Sequence, residues 1–291
     1  MSSRRSFIKT SALLSAGVLA APSLLAADKK YIGLQLYTIR DAMQKTPEAG
    51  LARVAGIGYN SVEGATYSGS EKFYGMDAPA FKKVLKQNGL DMISCHYSLG
   101  EENPANKGTI LNGWDKAVDE AAKVGIKYMV CAYLTPKERG GLDHYKKLAA
   151  DFNKAGELCA RAGIQFCYHN HDFEFIGQDG KYPYEILLAN TDKKLVKMEM
   201  DIYWVSKAKQ DPIALFKQNP DRFPLWHVKD MDSTPRASFT EVGNGVIDFK
   251  KIFAQAKKSG MKYFFVEQDM TPGDPFESIT KSFKYIKNNL V

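Results

Sequence analysis

Cysteine is scarce in this chain of 291 residues, and the four present, Cys95, Cys131, Cys159 and Cys167, share no short paired spacing. Such spacing announces no pairing, and disulfide bonding between strands stays open. Three of the four sit inside apolar strand-like runs, so buried free thiols are expected. A glycine-rich phosphate turn is also missing: Tyr37-Thr38-Ile39-Arg40 follows the first strand-like run, which argues against an open doubly wound nucleotide-binding sheet. No basic stripe with interleaved aromatics accompanies the net charge of +7, so that charge is not a nucleic-acid footprint. The lysines are scattered through helical stretches such as 81–86, as a solvated face requires.

No apolar run is long enough to span about 30 Å of hydrocarbon. The longest one, 12–21, follows Ser3-Arg4-Arg5-Ser6-Phe7 and precedes small residues up to Ala27. Charged, apolar and small segments in that order predict an export leader over residues 1–27. Its paired arginines resemble the twin-arginine signal of proteins that fold before crossing the membrane, and a periplasmic destination follows. Removing the leader takes Arg4, Arg5 and Lys9 with it, so 264 residues remain and the formal charge falls from +7 to +4. That length suits one large α/β domain, residues 28–291.

Strand-like runs begin near Ile32, Asn60, Asp91, Lys127, Gln165, Val196, Pro224 and Lys262. They are spaced by roughly 30 to 40 residues, one βαβ step each. Helical periodicity fills the spacers, for example 79–85, 114–124, 145–162 and 249–259. Glycines 58, 89, 125, 163 and 260 stand just before the next strand, where a left-handed cap ends a helix. Eight such steps predict a closed (β/α)₈ barrel, in which side chains at the C-terminal strand ends meet in one mouth.

Almost every strand ends in a polar group: Gln35 and Tyr37, Glu63, His96, Tyr133, His169 and His171, Asp201, His227 with Lys229, and Glu267 with Asp269. Four of the five histidines lie at such ends; His144 does not. His169, Asp201, His227 and Glu267 close four consecutive strands and therefore project into one sector of the mouth. Two imidazoles and two carboxylates suit Mn²⁺, Zn²⁺, Co²⁺ or Fe²⁺, and a cation is the natural way to keep two neighbouring buried carboxylates ionised. With no cysteine in the set, an open catalytic site is expected rather than a closed structural one.

The phrases Ile32-Gly33-Leu34-Gln35-Leu36-Tyr37, Cys167-Tyr168-His169-Asn170-His171-Asp172-Phe173-Glu174, Met200-Asp201-Ile202-Tyr203-Trp204, His227-Val228-Lys229-Asp230 and Val266-Glu267-Gln268-Asp269 resemble the sugar phosphate isomerase/epimerase group. This is the xylose-isomerase-like TIM barrel superfamily, which includes inosose dehydratases, ketose 3-epimerases and endonuclease IV. In the ketose-epimerase branch a Glu, an Asp, a His and a Glu hold the metal. The resemblance places the last three at Asp201, His227 and Glu267, while His169 replaces the first, and Trp204 stands where that branch has a substrate-binding histidine. The His-Asn-His run looks more like the inosose dehydratase side.

The resemblance implies a divalent ion that chelates a carbonyl and a neighbouring hydroxyl, acidifies the C–H between them and stabilises an enediolate. Returning the proton gives epimerisation or isomerisation; losing a β-substituent gives elimination. The leading expectation is an isomerase or epimerase of an unphosphorylated or oxidised sugar or polyol. The alternatives are a lyase or dehydratase acting beside a ketone, and a non-catalytic carbohydrate-binding barrel. Glu267 is expected as ligand and base, Asp201 and His227 as ligands, and His169 as ligand or acid/base. Glu63, His96, His171, Glu174, Trp204 and Lys229 are expected substrate contacts, and Tyr37 and Phe73 possible stacking partners. Residues 230–245, long for a βα loop and without helical period, read as a mobile lid. No nucleic-acid partner is expected, no membrane once the leader is removed, and the oligomeric state stays open.

Overall fold

Eight parallel strands form where apolar runs precede polar ends: β1 Gly33–Gln35, β2 Ser61–Gly64, β3 Asp91–Tyr97, β4 Tyr128–Cys131, β5 Gln165–His169, β6 Val196–Asp201, β7 Leu225–Val228 and β8 Tyr263–Val266. Each pairs with the next, and β8 returns to β1 through Gly33 beside Phe265 and Leu34 beside Val266, which closes the barrel. This computed structural model describes residues 30–67 and 72–291, so the expected leader lies outside the described residues.

Helices such as Ala78–Gln87, Trp114–Val124, Leu142–Arg161 and Pro275–Asn289 occupy the spacers. The five pre-strand glycines all take positive φ, from 65° to 118°, as left-handed caps require. The helices bury one face against the outside of the barrel in a continuous core that includes Leu51, Phe81, Phe152, Tyr184, Phe216 and Ile279. Phe73, stacked on Phe81 and fully buried, belongs to this core and not to a sugar-stacking surface.

Inside the barrel the chemistry changes with height. Ile93, Val130, Cys167, Leu225 and Phe265 form an apolar plug at the lower end; burying each large side chain contributes about 1.5–3 kcal/mol. Gly33 makes room for it, since a Cβ there would lie 2.4 Å from the Phe265 ring. Alternate residues of a strand share a face, so the inward row climbs from Cys167 to His169 to His171, from Leu225 to His227 to Lys229, and from Phe265 to Glu267 to Asp269. The floor is thus dry and the mouth polar. All four cysteines are buried and free, as expected.

Residues 230–245 are not a loose lid. Asp230–Met231 pairs antiparallel with Phe239–Thr240. The buried Asp230 carboxylate accepts hydrogen bonds from the backbone N–H groups of Met231, Gly243, Gly245 and Ile247 at 2.8–3.2 Å. One carboxylate satisfying four donors staples the whole excursion to the end of β7.

Candidate active site

The four residues expected to converge do so. His169 Nε2 lies 3.2 Å from Asp201 Oδ2, and His227 Nδ1 lies 2.7 Å from Glu267 Oε2 and 3.8 Å from Asp201 Oδ2. One ligand atom from each of His169, Asp201, His227 and Glu267 falls within 4.8 Å of the others, and all four side chains are buried. Mixed imidazole and carboxylate donors at this separation fit a divalent transition ion. The Nδ1 of His169 faces the Ala132 carbonyl at 3.0 Å, which leaves Nε2 directed at the centre.

Lys229 is the dominant fixed cation here. Its ammonium lies 2.9 Å from Asp201, 2.7 Å from Glu267 and 2.8 Å from Asp269, and is 2% exposed. Burial pushes the Asp201 and Glu267 carboxyls up, but Lys229 and the neighbouring histidines outweigh it and hold both well below the usual range. Asp269 goes the other way: burial and the Glu267 charge together exceed the help from Lys229, and its carboxyl rises to about 6. Burial and the nearby His227 push the His169 imidazole down to about 4, so it is neutral near pH 7.

Above this centre opens a cavity of about 340 Å³, lined by Tyr37, Ala65, His96, Ala132, Tyr133, His169, His171, Glu267 and Asp269. Tyr37 and Tyr133 stand at its rim, 43% and 40% exposed. The His171 and Trp204 rings pack 5.4 Å apart, and the buried His171 Nδ1 and Trp204 Nε1 have no hydrogen-bond partner among the described residues. Among the described residues neither lysine nor arginine lines the cavity, while Arg40 and Arg139 stack on the rim tyrosines Tyr37 and Tyr133.

A family model for the xylose isomerase-like TIM barrel matches residues 51–289. The chain belongs to that family. A sugar phosphate isomerase/epimerase from Parabacteroides distasonis, solved by crystallography, is 30% identical with a TM-score of 0.77, over 90% of this chain and 95% of that one. An inosose dehydratase of Lacticaseibacillus casei is 27% identical over 165 residues, 50% of this chain and 54% of that protein, so the chain matches about half the length of this curated relative. The IOLI protein with a bound zinc atom is similar in fold, with a TM-score of 0.69 at 13% identity, over 90% of this chain and 98% of that one. This is an enzyme family of isomerases, epimerases and dehydratases, and its members differ in reaction while sharing the barrel.

Within this xylose isomerase-like frame, several of the expected substrate contacts lie buried and bonded to other side chains. Glu63 is wholly buried below the mouth, where it accepts hydrogen bonds from Gln35 Nε2 at 2.7 Å and from the Ser94 hydroxyl. Glu174 is also fully buried; it accepts from the Tyr168 hydroxyl at 2.5 Å and the His171 N–H at 2.8 Å, which sets the His-Asn-His turn. The ammonium of Lys229 is engaged by three carboxylates. His96 and His171 line the cavity, and Trp204 packs against His171.

Glu199 was not anticipated. It lies two residues before Asp201 on β6 and so faces inward on the same side. Asp201, two residues on, is the polar group that closes the strand, so strand ends alone do not mark Glu199. Its Oε2 lies 2.8 Å from His96 Nε2 and 3.3 Å from His227 Nε2.

Proposed function

We propose that this protein is a metal-dependent lyase of the dehydratase type, acting on an uncharged keto sugar or keto polyol through abstraction of the proton beside the carbonyl. The observation that carries the reading is the convergence of His169, Asp201, His227 and Glu267 beneath a cavity bordered by aromatic rings. A divalent ion held by these residues would polarise the substrate carbonyl and acidify the adjacent C–H. The zinc in the IOLI protein, a barrel of the same fold, is in keeping with this.

The residues of the chain divide the remaining work. Glu267, 6% exposed and bound by His227 and Lys229, serves as ligand. Asp269, one inward step higher and 21% exposed, reaches the cavity and takes the proton. Neutral His169 replaces the carboxylate that would make a symmetric pair of proton carriers. Asp269 takes the proton beside the carbonyl and passes that same proton to the departing β-hydroxyl, so that water leaves and the carboxylate is restored, and the similarity to inosose dehydratase supports elimination. Tyr37 and Tyr133 offer faces for a sugar ring, and His171 on the cavity wall offers an imidazole beside them. The absence of lysine and arginine from the lining favours a substrate without phosphate or carboxylate. A second reading, epimerisation or isomerisation, draws support from the Parabacteroides relative.

The test is a screen of inososes and 3-keto sugars with metal-stripped and metal-reconstituted protein, following the absorbance of the unsaturated or dicarbonyl product. Metal-dependent appearance of that product supports the lyase. Sugar interconversion without it transfers the assignment to the second reading.

A further inference from the structure

Below the metal-binding set lies a second buried layer that the expected chemistry does not use. Glu63 from β2, His96 from β3, Glu199 from β6 and His227 from β7 bring their polar ends together, fully buried except for His96 at 7%. The contacts alternate nitrogen and oxygen around a ring: His227 Nε2 to Glu63 Oε2 2.5 Å, Glu63 Oε2 to His96 Nε2 3.2 Å, His96 Nε2 to Glu199 Oε2 2.8 Å, and Glu199 Oε2 to His227 Nε2 3.3 Å. Two of these edges are hydrogen-bond lengths, as is the 2.7 Å His227–Glu267 contact above, so length alone does not separate the two sets. The alternation of imidazole nitrogens with carboxylate oxygens makes the ring a proton-sharing network.

His227 belongs to both layers, and a neutral imidazole has one N–H and one lone pair. Its Nδ1 faces Glu267 and Asp201 above, and its Nε2 faces Glu63 and Glu199 below. The two ends differ in what else supplies positive charge. Above, Lys229 already bonds both carboxylates. Below, no lysine or arginine contacts Glu63 or Glu199 among the described ion pairs, and Glu199 Oε1 has no hydrogen-bond partner. The N–H of His227 is needed below and the lone pair is useful above. Gln35 and Ser94 clamp Glu63 so that its carboxylate stays in line with Nε2.

From this geometry we infer that Glu63 and Glu199 are positioning residues that hold the proton of His227 on Nε2 and thereby commit Nδ1 to the metal. The inference rests on the metal-dependent reading above. It explains why two fully buried carboxylates lie under a site they do not reach. Carboxylates that orient a ligating histidine commonly change metal affinity by about 10- to 100-fold when removed.

The experiment measures metal affinity directly. The mature chain, stripped and titrated with Co²⁺ against a chromophoric chelator, gives stoichiometry, dissociation constant and the visible spectrum of the bound ion. The wild type should bind one ion, and Glu63→Gln and Glu199→Gln should bind the same ion with an altered spectrum and an affinity lowered by about 10- to 100-fold for Glu63→Gln. Should Glu63→Gln fail to fold, Ser94→Ala, which loosens the clamp without removing charge, should weaken binding in the same direction by a smaller factor. Unchanged affinity and spectrum in folded variants would overturn the inference. Two ions in the wild type and one in each variant would also overturn it, because the lower ring would then be an ion site itself. A wild type that binds no ion would instead remove the metal-dependent reading on which the inference stands.

Discussion

Replacing Lys229 with methionine keeps most of the side-chain volume and deletes the ammonium that lies 2.7–2.9 Å from Asp201, Glu267 and Asp269. Without metal, the buried Asp201 and Glu267 and the half-buried Asp269 then share no fixed cation except the histidines. Removing one partner of a buried ion pair costs about 3–5 kcal/mol. For a domain of this size 1 kcal/mol shifts Tm by about 2–4 °C, so the metal-free variant should melt roughly 6–20 °C below the wild type. Metal should narrow that gap, since a divalent ion beside Asp201 and Glu267 replaces the missing charge. By linkage, the variant should also bind the ion more tightly than the wild type. The assay is thermal unfolding by circular dichroism, with EDTA and with saturating Mn²⁺ or Co²⁺. An equal gap under both conditions would refute the claim that Lys229 and the ion neutralise the same carboxylates, and no gap in EDTA would show that the ammonium is not compensating buried charge.

Glu267→Gln keeps shape but removes a ligand charge, and turnover on a substrate found by screening should fall by at least about 10²-fold while the fold is retained; near-parental kcat would reassign the site. Burial pushes the Glu174 carboxyl up to about 7 against the pull of Tyr168 and nearby backbone N–H groups. The folded state then binds more protons than the unfolded state between about pH 4.5 and 7, so stability from this group is present at low pH and lost as pH rises through that window. Urea unfolding should accordingly show Glu174→Gln gaining stability relative to the wild type between pH 5 and pH 8. Changing both Arg4 and Arg5 to lysine should retain the protein in the cytoplasm, measured by fractionation, if the leader is read as a twin-arginine signal.

The barrel was legible because its signals are local. Each apolar run ends in a polar group and each pre-strand glycine marks a helix end, so the expected strand starts at Ile32, Asp91, Gln165 and Val196 fall within a residue of those observed. The four converging residues were legible for the same reason, since each terminates a strand in a fold whose strand ends meet. Depth was not legible. Glu63 and His169 both read as strand ends, yet Glu63 lies in the lower ring and His169 at the mouth, because the stagger of strands around a closed barrel places equivalent sequence positions at different heights. Glu199 was missed because Asp201 closes the same strand, although period two puts both on the same inward face. The stapled hairpin at 230–245 was missed because one carboxylate satisfying four backbone donors leaves no periodic trace.

The central claim is that the mouth of this barrel removes a proton from carbon beside a carbonyl with the help of a bound divalent ion. Incubation of an inosose or 3-keto sugar with the protein in heavy water, followed by mass spectrometry of substrate and product, tests it most directly. Deuterium exchange at the carbon next to the carbonyl, or loss of that hydrogen together with water, is expected to depend on added metal and to disappear in Asp269→Asn. Metal-saturated wild-type protein that leaves that C–H bond untouched across the panel, or that exchanges it equally well in EDTA, would contradict the account.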